Sequence, residues 1–338
     1  MRQGESKAFA GSSLAQRHVR KIDLFGFFYR WGTIITIGLL VLFFGVVTPS
    51  FLSPGNLINI LRSISIVTVI AIGVSLSLAV GGFDLSVGSM ASLANAVVIS
   101  LFIWYGKGTL VSIIAAIAAC MVVGGFNAFL IVKIRIPDML ATLATMFVFQ
   151  GVAMTYTNGG SITANMMMAD GSSAPGKLTS VFNAIGQVPA IILIMIVVVV
   201  LVQVFLSSTK HGRYMYVVGG NMEAARLSGI PIGRYRTAAY LMSSAFAAFG
   251  GIMLASRIGS SQVSAGSAYL MDAVAAAYIG FSLGGSGKPN AVGTFIGAVL
   301  IGILQNGLVM VSVPYYAMDI IKGAVLALAL AMTYVRKK

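Results

Sequence analysis

Residues 58–80 read INILRSISIVTVIAIGVSLSLAV, and residues 81–90 continue as GGFDLSVGSM. The first stretch is an apolar run whose one charge, Arg62, lies near its start. About 20 such residues cross the hydrocarbon core of a bilayer. In that medium the backbone has no water to bond, so a helix that satisfies its own N–H and C=O groups is the available form. The second stretch halts the run with paired glycines and an aspartate, and apolar sequence resumes over 88–105. A long apolar helix, a short polar turn and another apolar helix predict an all-α, polytopic transmembrane bundle.

The rest of the chain repeats this pattern. Of its 338 residues, 58% are hydrophobic and only 9% charged, with a mean hydropathy of +0.96. A soluble domain is about one-quarter charged. The composition excludes an ordinary soluble enzyme, a disordered chain and a disulfide scaffold. Ten apolar segments can be marked, at 32–48, 58–80, 88–105, 109–132, 139–157, 188–207, 237–255, 269–286, 290–312 and 317–335. The third and eighth are the weakest, and eight or nine spans remain open if one of them is re-entrant. The first reads as an uncleaved span, because no small-residue cleavage site follows it. Residues 1–30 precede it as a basic segment, and 31–338 form the transmembrane domain.

Charge sets the orientation. With the first residues in the cytoplasm and sides alternating, 17 of the 22 Lys and Arg residues fall inside and 5 outside. This split obeys the positive-inside rule, and an even number of spans returns the C-terminus to the cytoplasm. The net charge of +14 is thereby explained by cytoplasmic loops facing anionic membrane lipid, and no single basic face suggests nucleic acid. Two loops are long: 158–187 outside, rich in Gly, Ser, Asn and Met, and 208–236 inside. The lone Cys120 lies in an apolar stretch and reads as a packing residue.

Few residues at membrane depth could carry chemistry. Asp84, Asp272 and Asp319 are the acidic ones, and intramembrane charges are candidates for function. Lys322 stands three residues after Asp319, and a structural pair on one helix face is the preferred reading there. Asp272 sits near the start of its span, where capping the helix and a functional role are equally open. In the 81–90 stretch, Gly81, Gly82 and Gly88 permit tight turns and close approach, while Asp84 and Ser86 can cap the next helix. Composition alone favours a capped turn joining two helices, and pattern alone does not separate it from a broken helix lining a polar path. Asn95, Asn127, Gln150, Gln305 and Asn306 are polar residues inside spans, each a helix–helix bond or part of a hydrophilic path. Gly293 and Gly297 form GxxxG, which marks close packing either within the subunit or across a dimer.

Catalytic and metal motifs are missing from the sequence. GGSGKPN (284–290) imitates a phosphate loop, but Ser282 stands where its first glycine belongs and Pro289 where Ser or Thr should follow the lysine. There is no HExxH, paired-cysteine spacing or GxSxG. The chain reads as no enzyme and as holding no metal or cofactor; any ATP-driven step would need another subunit.

Two stretches carry a family resemblance. GGFDLSVGSM (81–90) resembles the signature of bacterial permeases for simple sugars, the ribose, xylose, arabinose and galactose type of ABC importer. KHGRYMYVVGGNMEAARLSGIPIGRYR (210–236) resembles that family's cytoplasmic loop. KIRIPDMLATLATM (133–146) and the closing IIKGAVLALAL are also similar, so the likeness covers nearly all of the chain beyond the first span. Branched-chain amino-acid permeases share the architecture but match less well.

The resemblance implies a multi-pass permease subunit of the bacterial inner membrane. It would pair with a second copy or a homologous permease. Cytoplasmic ATP-binding subunits would hold ATP and Mg, and a periplasmic solute-binding protein would deliver a sugar. Gly219, Gly220, Asn221, Glu223, Ala224, Ala225, Ser228 and Gly229 would lie at or beside the contact with the ATPase. Local physics agrees: Asn221 can cap a short helix with Glu223 at its positive end, Gly229 can stop it, and Pro231 prevents continuation. Phe83, Met139 and Phe281 depart from the family pattern, which bears on the substrate. The competing reading is a secondary transporter or channel that uses Asp84, Asp272 and Asp319 as relay or ion sites. A membrane enzyme would need a nucleophile, metal or acid/base pair, and none is evident.

Overall fold

The computed structural model describes residues 24–168, 170–282 and 287–334. Among these the chain is helical, with isolated β-bridges at Ile162–Ser261 and Met167–Ser173. The first half comprises α1 (Leu24–Val47), α2 (Pro54–Ala79), α3 (Val87–Ile103), α4 (Thr109–Ala128) and α5 (Asp138–Tyr156). A π-helical turn, Phe129–Lys133, extends α4. Then come α6 (Ser180–Ile185), α7 (Ala190–Ser208), α8 (Lys210–Gly220) and α9 (Met222–Leu227). The chain closes with α10 (Ile232–Ile258), α11 (Ala268–Ser282), α12 (Ala291–Met310) and α13 (Tyr315–Tyr334).

Each of the ten apolar segments falls on a helix, though residues 283–286 of the eighth and 335 of the tenth lie outside the described residues. So do residues 1–23 of the basic segment, while residues 24–30 already belong to α1. Among the described residues, six helical segments are long and apolar enough to cross a membrane: α2, α4 with its π-turn, α5, α7, α10 and α12. Trp31–Val47, Val87–Ile103 and Ala268–Phe281 are apolar but shorter.

Local sequence starts and stops these helices where capping rules expect. Ser53 accepts from Asn56 N–H at 3.4 Å, with Pro54 at the first position of α2. Asn290 accepts from Gly293 N–H at 2.6 Å to start α12. Gly259, at φ +73°, ends α10.

The core is built around α2 and α10. They pack on each other; α10 also lies against α3 and α4, and α2 against α11 and α12. Small residues let the backbones close in: Gly250 receives Ile70, and a Cβ on Gly251 would collide with the Ala91 carbonyl. The GxxxG of α12 serves packing inside this subunit. A Cβ on Gly293 would strike the Gly280 carbonyl, and one on Gly297 the Ala276 carbonyl, both on α11. By contrast, α4, α5 and α7 expose apolar side chains such as Leu110, Phe147 and Leu201, which hydrocarbon or another protein surface must cover.

The two long loops are partly structured. Residues 158–187 contain α6, and Ile162 bonds to Ser261 in both directions at 2.9 Å. Residues 208–236 hold α8, α9 and the first turn of α10.

Candidate functional site

The turn after α2 runs through the interior of the bundle. The N–H groups of Val80, Gly81 and Gly82 fold back onto the Ser77 and Leu78 carbonyls at 2.9–3.2 Å, with Gly81 at φ +72°. Asp84 follows and is fully buried. Its Oδ1 accepts from Ser86 N–H at 2.9 Å and Ser86 Oγ at 2.6 Å, and its Oδ2 accepts from Ser243 Oγ of α10 at 2.7 Å.

Behind Ser86 the chain of bonds continues outward. Asn127 of α4 donates to Ser86 Oγ at 2.8 Å, and Thr145 of α5 donates to Asn127 Oδ1 at 2.6 Å. Leu85 N–H donates to Thr142 Oγ1 of α5 at 3.2 Å. Donation from Ser243 of α10, and from Thr145 of α5 through Asn127 of α4 to Ser86, runs toward the carboxylate, while Leu85 N–H of the turn donates back to α5. Buried polar groups demand such partners, and here they bind three helices to one turn.

The expected cap differs in detail. Ser86 occupies the N-cap of α3 but makes no side-chain cap bond, because its hydroxyl is committed to Asp84 and Asn127. Gly88 lets α3 pass close to α11: a Cβ there would sit 3.0 Å from Leu270 Cβ.

The second candidate region is the α8–α9 hairpin. Asn221 Oδ1 accepts from Ala224 N–H at 3.0 Å, so the expected N-cap is present. Glu223 stands in the first turn of α9 and pairs with Arg226 at 3.1 Å on an exposed surface. Ser228 forms the C-terminal boundary, and Gly229, at φ +72°, turns the chain toward Pro231. Ala225 is buried under the helix; Ala224 is exposed, and Leu227 is 82% exposed.

Tyr216 fastens α8 to the start of α12 by donating to the Pro289 carbonyl at 2.6 Å, and burial pushes its phenol pKa up. Gly220 meets nothing within 4 Å of a built Cβ, but Gly219 touches the other region directly. A Cβ on Gly219 would collide with the Ala79 carbonyl, and one on Gly81 would lie 3.2 Å from the Gly219 carbonyl. The signature turn and the loop helix, 138 residues apart at these two glycines, meet backbone to backbone.

A third group was not singled out in the sequence. Asp138, heading α5, holds Arg236 through Oδ1 and Tyr240 through Oδ2, both on α10. Ser243, Thr142 and Thr145 also escaped notice as parts of the site. The Asp138–Arg236 and Asp84–Ser243 contacts span 98 and 159 residues. An acid directly after Pro137 at a helix start was the signal available for Asp138.

The remaining candidates scatter. Gln150 bonds Ser264 and Ser267, and Asn306 exchanges bonds of 2.9 and 3.0 Å with Asn56. Asn95 is buried with neither amide atom paired. The expected Asp319–Lys322 pair is replaced: Lys322 Nζ reaches Asp272 at 3.2 and 3.4 Å, joining α13 to α11, while Asp319 is exposed. Burial of Asp272 explains the choice, since a buried carboxylate needs a counter-charge more than an exposed one does. Asp272 accordingly does not act as a simple helix cap. Among the described residues no group of three or more potential metal ligands occurs.

A turn buried in a bundle of apolar helices is thus braced against a hairpin that carries a short capped helix, an arrangement that fits a membrane permease. Comparison with known proteins agrees. Residues 56–330 match the family model described as "Branched-chain amino acid transport system / permease component". The chain is 34% identical to the ribose import permease of Bacillus subtilis (strain 168) over 323 residues, 96% of this chain and 98% of that one. It is 34% identical to the ribose import permease of Escherichia coli (strain K12) over 300 residues, 88% and 91% of the two chains. With the xylose transport system permease of the same strain it shares 29% over 355 aligned positions, 89% and 90% of the chains. No solved structure matches. The chain belongs to the family of permeases of simple-sugar ABC importers.

Proposed function

We propose that this chain is the membrane-spanning subunit of an ATP-driven importer for a sugar or sugar-like solute, working by alternating access. Separate ATP-binding subunits hydrolyse ATP, a solute-binding protein delivers the cargo, and a second permease copy or homologue completes the path. The chain crosses the inner membrane ten times with both ends in the cytoplasm, a reading supported by the 17-to-5 division of basic residues. The α8–α9 hairpin then lies in the cytoplasm and residues 158–187 in the periplasm. Names of relatives point to pentoses, since ribose and xylose permeases align over most of the chain.

The observation that carries the reading is the seat of α9. The helix presents Leu227 to solvent beside the exposed Glu223–Arg226 pair, while Gly219, in the last turn of the preceding α8, rests on the backbone of the Asp84 turn. A push on such a helix reaches the interior, because close-packed backbones do not absorb displacement. An ion-coupled transporter has weaker support: Asp84 is fully engaged by hydroxyl and N–H donors, and Asp272 by Lys322.

Copurification of the tagged chain with its native neighbours tests this. An ATPase sensitive to vanadate is expected to come down with it. Glu223→Lys is expected to release that ATPase and abolish uptake while leaving insertion intact. A chain that elutes alone and passes solute through liposomes without ATP would overturn the proposal.

A further inference from the structure

We propose that Asp138 is a positioning residue of the transport cycle, clamping the start of α5 to α10 so that displacement of α9 carries α5 with it. The inference rests on the importer reading above and adds the link between the ATPase contact and the helix that moves.

Four observations carry it. Asp138 divides its carboxylate between two residues one helical turn apart, Arg236 at Oδ1 and Tyr240 at Oδ2. The pair is largely withdrawn from water, with 17% of the Asp138 and 15% of the Arg236 side chain exposed. Solvent therefore screens it far less than the Glu223–Arg226 pair on α9, whose side chains are 66% and 70% exposed. Among the described residues it is the one ion pair that joins α5 to α10.

Its position supplies the third observation. A cleft of about 860 Å3 opens between the α4–α5 connection, with Arg135 and Ile136, and the α9–α10 side, with Met222, Arg226 and Gly233. Asp138 and Arg236 line that cleft, so the ion pair spans it beside the contact of Val132 with the backbone at Gly233. Widening the cleft requires breaking it.

Fourth, the clamp touches the buried turn. A Cβ on Gly82 would fall 2.5 Å from Tyr240 Oη and 2.6 Å from Asp138 Oδ2, so the turn accepts the cluster because Gly82 has no side chain. Further along α5, Thr142 and Thr145 enter the Asp84 network. Displacement of α9 passes through Ile230 and Pro231 into the first turn of α10, reaches Arg236, and crosses to α5 at Asp138. Arg236 Nε is buried without a partner, so the guanidinium keeps a donor for a different arrangement when the clamp opens.

The experiment uses the whole complex in proteoliposomes, with three readouts: subunit assembly, ATP hydrolysis stimulated by loaded binding protein, and solute imported per ATP. Asp138→Asn is expected to assemble and hydrolyse ATP but to import about tenfold less solute per ATP, within the range reported for coupling residues that touch no ligand. Arg236→Met is expected to match it, and the double variant to be no worse than either single one. Asp138→Glu is expected to recover part of the ratio. A wild-type ratio in Asp138→Asn, or losses that multiply in the double variant, would overturn the clamp. Should Asp138→Asn fail to assemble, Arg236→Gln decides, since it removes the ion pair while leaving the Asp138–Tyr240 bond: a lowered solute-to-ATP ratio supports the clamp and an unchanged one overturns it. Failure of the unaltered chain to assemble with any ATPase would instead remove the importer reading, and it appears in the control.

Discussion

Two turns in this protein share one backbone requirement and differ in everything around it. Gly81 and Gly229 both adopt φ +72°. Around Gly81 the molecule is closed: the Gly219 backbone lies 3.2 Å from where a Cβ would stand, and Asp84 is buried under three donors. A Cβ on Gly229 would meet nothing within 4 Å, and the nearby Glu223–Arg226 pair faces solvent. A glycine can thus be demanded by conformation alone or by conformation and space together. The first kind shapes a surface that a partner can grip, and the second fixes a joint inside the bundle.

The largest contrast lies in the charges beside these turns. Asp84→Ala strands the Ser86 and Ser243 donors in the interior, at about 1–3 kcal/mol for each unsatisfied group, so a total near ~4 kcal/mol is expected. Denaturant titration of the purified chain in micelles measures this; a loss under ~1 kcal/mol would mean that the network bears little of the fold. Asp84→Asn keeps an acceptor for Ser86 and is expected to cost less than half as much. Near-normal uptake by that variant would favour a structural role for Asp84 over a pathway role.

Gly81→Ala comes next, because left-handed strain of about 1–2 kcal/mol adds to the crowding against Gly219. Gly229→Ala is expected to incur the strain alone, about 1 kcal/mol. Equal shifts of the unfolding midpoint in these two variants would erase the distinction between the turns. The smallest effect belongs to Glu223→Gln. Exposed ion pairs contribute about 0–1 kcal/mol, so stability should be unchanged within ~0.5 kcal/mol. Any uptake defect in that variant would then report on partner contact rather than on folding.

The α9 helix was legible in the sequence because its determinants are local. Asn221, Glu223 and Gly229 lie within nine residues and act through caps and φ preference. The apolar runs were legible for a similar reason, since each is a property of about 20 consecutive residues. The Asp84 stretch announced a turn, but its pattern did not separate a capped turn from a broken helix lining a polar path, and the buried hub was not visible in it. Its partners Ser243, Asn127, Thr142 and Thr145 are ordinary span residues until α4, α5 and α10 converge on it. Asp138 stands beside the apolar run 139–157, and its partners Arg236 and Tyr240 lie about 100 residues further along the chain. Lys322 was assigned to the wrong aspartate because sequence spacing ranks Asp319 first, whereas burial ranks Asp272 first.

From sequence alone, then, came the helical membrane class, the positions of the apolar segments, the capped loop helix and the family. Hydropathy, capping and φ preference act over one or two turns of chain and need no partner to be expressed. Tertiary structure decided which polar side chains meet, that GxxxG on α12 serves α11 rather than a second copy, and that Gly219 rests on the turn after α2. Those outcomes depend on helix rotation and crossing. Many rotations bury a comparable apolar area, and the single one observed is selected by small residues and hydrogen-bond partners far apart in the chain.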